Sequence, residues 1–229
     1  MLVPLTRQKF EQIVPLIATG LQYKYYWGKF ANLLQRLLIS VVAIVVILLV
    51  RALFGLHFGP IIFVLGVISA LFWLWYPVFQ ASMRNLQCRR YKYSGFFRGR
   101  VLDWWITDQL IGKQETVNSK GELVIVENRE KRINLEVGDD TGFTIEFDVP
   151  LRPSHKAIAR GQIAEMVVMS NRPDLSSIEE FTDIYIPSRE LWVSDYPYLR
   201  RDFFSEVGRR LREDRQERRP PRRRRRVEE

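Results

Sequence analysis

LLQRLLISVVAIVVILLVRALF (residues 33–54) and GPIIFVLGVISALFWLWYPVF (residues 59–79) decide the fold. From Leu37 to Val50 fourteen residues carry no charge, and Ser40 is the one polar side chain among them. A bilayer core takes ~20 residues of helix to cross. Starting the helix at Leu33, and letting Arg36 and Arg51 reach toward the head-groups, supplies the missing length. Ile61 to Phe79 gives nineteen further residues without a charge. This run ends in Trp73, Trp75, Tyr76 and Pro77, an aromatic belt of the kind that sits at a membrane boundary. Gly59-Pro60 is suited to start a helix. The link is short, so the two runs are expected to be antiparallel neighbours, forming a transmembrane hairpin over residues 33–80.

Flanking charge gives the expected orientation. Lys24, Lys29 and Arg36 stand before the first run, and Arg84, Arg89, Arg90, Lys92, Arg98 and Arg100 follow the second. Near the link there is only Arg51. Basic residues accumulate on the cytoplasmic side. Both termini are therefore expected there, or on the stromal side of a plastid-type membrane.

On the N-terminal side, Phe10, Ile13, Val14 and Ile17 fall on one helical face, with Thr6 as N-cap and Pro15 interrupting. Tyr23, Lys24, Tyr25, Tyr26 and Trp27 follow. Residues 1–32 thus read as an amphipathic segment at the membrane surface.

On the C-terminal side the period changes to two. Ile133, Leu135 and Val137 alternate with polar residues, as do Phe143, Ile145, Phe147 and Val149, and GDDTG (138–142) joins the two runs as a hairpin loop. Residues 101–111, 122–127, 163–168 and 184–186 are further strand candidates. The expectation for residues 94–208 is a small antiparallel β barrel or sandwich, the two staying open. Residues 199–211 should form a closing amphipathic helix. The formal charge is +9, and residues 209–229 hold eleven arginines against five acids, a disordered basic tail by composition. The expected class is a membrane α+β protein: helical hairpin, β-rich domain on the cytoplasmic side, Arg-rich tail.

Catalytic signals are weak. Asp140-Thr141-Gly142 matches the aspartic-protease triplet, but Asp and Gly are ordinary turn formers in such a loop. Ser154-His155 has no partners placed by any motif. A lone Cys88 makes no internal disulfide, and His57 and His155 are too few for a zinc site. No catalytic residue, metal or cofactor is expected. The two apolar runs contain no Asp, Glu or Lys, which disfavours a transport path.

Two features point to partners. RELWVSDYPYLRRDFF (189–204) mixes aromatics with arginine, as protein interfaces do. Trp192, Tyr196, Tyr198, Arg200 and Arg201 are therefore candidate partner-binding residues, unless the same rings close the bottom of the β domain. In the tail, Arg222, Arg223, Arg224, Arg225 and Arg226 suit anionic lipid head-groups or an acidic partner better than nucleic acid, because the tail is tethered near a membrane.

LVPLTRQKFEQIVPLIATG (2–20), YWGKF (26–30) and WVSDYPYLRRDFF (192–204) resemble a family of cyanobacterial membrane proteins with plastid relatives. The resemblance covers residues 1 to about 208 and leaves the tail outside. Some members carry the label of a phosphate transporter permease, which the two apolar runs do not support. In layout, though in no motif, the chain is also similar to a plastid-encoded photosystem I assembly factor with a helical hairpin and a small stromal β domain. The resemblance implies a thylakoid or plasma membrane of a cyanobacterium. The expected function is a non-enzymatic accessory or assembly factor that docks a membrane protein complex through its β-rich domain. The alternatives are a small transporter component and a membrane-tethered lipid or nucleic-acid binder acting through the tail.

Overall fold

The computed structural model describes residues 1–28, 30–54, 59–117, 121, 123–140 and 142–217. After β1 (Leu2–Leu5), α1 (Arg7–Ile13) starts at Thr6, whose hydroxyl accepts the Lys9 N–H, and ends at Val14, just before Pro15. Phe10, Ile13 and Val14 are buried on the back of the sheet, so the apolar face of α1 serves the domain rather than lying outward on a membrane. α2 (Gly20–Trp27) follows, with Thr19 and Gln22 forming a capping box.

α3 (Phe30–Phe54) is 25 residues long. At 1.5 Å per residue that is about 37 Å, enough for a bilayer core of ~30 Å. Its apolar residues face outward around much of the helix. Arg36, however, is 5% exposed. Instead of reaching for head-groups it donates to the Trp27 and Asn32 carbonyls and lies over the Trp27 ring, closing the end of α2.

The second expected helix is broken. α4 (Gly59–Ala70) and α5 (Phe72–Arg89) meet at Leu71 with a bend of 75°. The indole N–H of Trp75 donates to the Ile68 carbonyl at 2.9 Å, so a carbonyl beside the break keeps a donor. Phe72 packs on Trp75 and Tyr76, which steadies the corner. The 12 residues of α4 reach only about 18 Å, too short to cross alone. Among the described residues, α3 is the one unbroken helix long and apolar enough to span.

The remaining strands are β2 (Tyr93–Val117), β3 (Leu123–Gly138), β4 (Thr144–Pro150), β5 (Ile163–Ser170), β6 (Glu180–Phe181), β7 (Ile184–Ile186) and β8 (Leu191–Val193). They form one antiparallel eight-stranded sheet in the order β4-β3-β2-β5-β7-β8, with β1 on β2 and β6 on β5. The sheet is open, not the closed barrel or two-sheet sandwich expected. It curls until Phe147 of β4 meets Phe181 of β6, ring centroids 5.4 Å apart.

Period-two alternation divides its residues between two cores. Phe97, Met166 and Val168 join Leu135, Val137 and Ile184 inside the curl. Phe96, Val167 and Met169 face α1, Cys88 of α5 and Phe204 of α6 (Arg201–Glu217). α6 continues to Glu217, so residues 209–217, expected in a disordered tail, are helical. Arg212 explains part of this, since it reaches the buried Glu165 of β5 at 2.9 Å. Arg222, Arg223, Arg224, Arg225 and Arg226 lie outside the described residues.

Candidate functional site

Two regions stand out: the junction where the helices meet the sheet, and a long arm leaving the sheet. The junction is built on a reciprocal amide pair. Gln22 of α2 and Asn85 of α5 exchange hydrogen bonds, both at 2.9 Å, and both side chains are fully buried. Gln22 also donates to the Pro197 and Tyr198 carbonyls, tying α2, α5 and the loop after β8 together. Buried amides need such partners, because an unmet donor costs about 1–3 kcal/mol.

Beside this pair Arg84 stacks over Tyr196 at 4.3 Å and donates to the Tyr198 hydroxyl at 2.8 Å. Tyr25 and Tyr26 close on the buried Tyr196 ring. Burial pushes the Tyr198 phenol up to about 12, against the pull of Arg84. A small cavity of about 140 Å³ lies alongside, lined in part by Arg84, Phe147, Glu180, Asp183 and Tyr198. Asp183 is buried and accepts the Tyr198 N–H at 3.0 Å, while among the described residues its Oδ2 has no hydrogen-bond partner. Burial pushes its carboxyl up to about 7, although the Tyr198 and Leu199 N–H groups and Arg201 pull it down.

The residues singled out in the 189–204 segment are therefore engaged within the chain. Tyr196 and Tyr198 belong to the junction. Trp192 packs on Tyr185 and Phe204, with Arg201 over its ring, and Arg200 lies over Phe203. These rings cover the helical face of the sheet.

The arm arises because β2 and β3 outrun their neighbours. β5 pairs with β2 only from Tyr93 to Arg100, and β4 pairs with β3 only from Arg132 to Gly138. Beyond Arg132, paired with Thr107, the two strands continue alone to the Val117–Leu123 pair. That is about 35 Å of two-stranded ribbon. Opposite charges face one another across it, Asp108 with Lys131 and Lys113 with Glu127.

Apolar side chains are exposed from its root to its tip. Trp104, Trp105 and Ile106 are exposed at the root, as are Leu110 and Ile111 midway and Val124 and Val126 toward the tip. Leu123 is 74% exposed and Ile125 62%. An isolated two-stranded hairpin is marginal in water, and bare edges invite pairing. Residues 102–111, apolar at six of ten positions, and the apolar run 123–126 flank the polar Asn118-Ser119-Lys120-Gly121, a pattern that could have been read as one long hairpin instead of separate short strands.

His155 is buried, its Nδ1 accepts the Arg152 N–H at 3.2 Å, and burial lowers its pKa. Gly142 takes φ +86° in the turn before β4. Cys88 is buried, which pushes its thiol up to about 12. Among the described residues no cluster of three metal-ligating side chains occurs.

Residues 3–217 match a family of unknown function (DUF8619), and the chain belongs to that family. No curated protein and no solved structure matches it.

Proposed function

We propose that this member of the family is a membrane-anchored docking protein, held by α3 and presenting the β2–β3 arm to a membrane protein complex. The arm carries the reading: a ribbon with two bare edges and exposed apolar side chains needs a cover that the chain's own sheet does not supply. The 189–204 segment, whose aromatics are engaged internally on the helical face of the sheet, is left out of the docking surface. α4 and the first turns of α5 form a bent second span. The basic residues flanking the helices then put both termini and the sheet on the cytoplasmic side. No chemistry on a substrate is part of the proposal; the role is that of an accessory or assembly factor.

The test uses a tagged full-length chain in native membranes. Leu123→Ser with Ile125→Ser should leave the protein resistant to carbonate extraction and lower recovery of its partner complex at least tenfold. Recovery of the same proteins in the same amount would remove the arm as the docking element.

A further inference from the structure

A groove of about 550 Å³ runs between α3 and α4. Ile47 and Leu48 of α3 and Phe63, Gly66 and Val67 of α4 form its walls. Gly66 is not there for close helix contact, because a methyl group added at its Cα would meet nothing within 4 Å. It leaves the floor open. At one end stand Gly59, where α4 starts, and Arg51 near the end of α3. Arg51 is exposed, and among the described residues it has no hydrogen bond or ion pair. Among the described residues it is the one charged side chain lining an otherwise apolar groove.

A further helix would lie over this groove rather than in it. A helix about 10 Å across and as long as α4 fills more than about 1,000 Å³. An extended acyl chain is far slimmer and apolar along its length. Charge complementarity names the rest of the occupant: a guanidinium at a membrane boundary reaches for the head-groups and binds phosphate through its fork of donors.

We infer that the α3–α4 groove binds one anionic phospholipid, its acyl chain along Gly66 and its phosphate on Arg51. This rests on the reading that α3 and α4 lie in the bilayer. The site lies in the leaflet facing away from the sheet, where the basic residues that flank the helices elsewhere are missing.

The test reconstitutes the full chain in phosphatidylcholine vesicles carrying trace spin-labelled phosphatidylglycerol or spin-labelled phosphatidylcholine. The motionally restricted fraction of each label is then measured. The wild type should restrict phosphatidylglycerol several-fold more than phosphatidylcholine. Arg51→Gln should bring the two to parity, Arg51→Lys should keep part of the preference, and Gly66→Leu should reduce restriction of both by filling the floor. Equal restriction in the wild type, or an unchanged preference in Arg51→Gln, would overturn the site. Carbonate extraction of the same samples separates the two levels: a wild-type chain stripped from the vesicles overturns the membrane reading itself, and a chain that stays bound without lipid preference overturns only the lipid site.

Discussion

At the junction of α2, α5 and the loop after β8, Tyr25, Tyr26, Tyr196 and Tyr198 each have another ring against them, and Arg84 lies over two of them. Along the arm, Leu110, Ile111, Leu123 and Ile125 are exposed on a ribbon that, among the described residues, has no third strand on either edge. Both regions are rich in apolar and aromatic residues. The difference is topological: the junction lies where three elements converge, whereas the arm lies beyond the last strand that could cover it. Large apolar residues at the junction therefore contribute stability, and those on the arm remain exposed.

The comparison breaks most easily at Tyr196. It is 1% exposed, so Tyr196→Ala should destabilise the domain by about 3–5 kcal/mol, as large aromatic deletions in cores do. Thermal unfolding followed by near-UV circular dichroism in mild detergent would report the loss, and a change below about 1 kcal/mol would put this ring at a surface rather than in a junction.

The next effect is a pH dependence. The folded-state pKa of Asp183 is raised to about 7, above its unfolded value of about 3.9. Folding therefore favours the protonated form. The contribution to stability is fully present below about pH 4 and is lost as pH rises through about 7, worth about 4 kcal/mol at most. Denaturant midpoints between pH 4 and 8 should fall for the wild type and fall less steeply for Asp183→Asn. Parallel slopes would mean that the carboxyl is ionised throughout.

The smallest effect is expected on the arm. Ile125→Ser should change stability by no more than about 0.5 kcal/mol, since an exposed side chain loses little contact on truncation. A cost like that of Tyr196 would show that the arm is already covered.

Much of this was legible in the residues. The uncharged stretch of α3, the period-two runs of β3 and β4, the GDDTG turn and the Thr6 cap all have local causes. The break at Leu71 does not, because an uncharged run of Ile, Leu, Phe and Trp reads alike whether it is straight or bent. The lengths of β2 and β3 were hidden for another reason: charged pairs such as Asp108 with Lys131 interrupt the apolar alternation, so one ribbon resembles several short strands. The 189–204 segment shows the limit most clearly. Trp192, Tyr196, Tyr198, Arg200 and Arg201 have the composition of an interface, and composition does not reveal that α5 and α6 already cover these rings. Gln22 and Asn85 gave no signal, being 63 residues apart and ordinary in type.

On the proposed reading the arm, not the aromatic 189–204 segment, meets the partner. Site-specific photocrosslinking in native membranes tests it most directly, with a benzophenone amino acid placed at Ile125 in one chain and at Trp192 in another. A discrete crosslinked protein is expected from position 125 and none above background from position 192. Crosslinking from position 192 with silence at position 125 would contradict it.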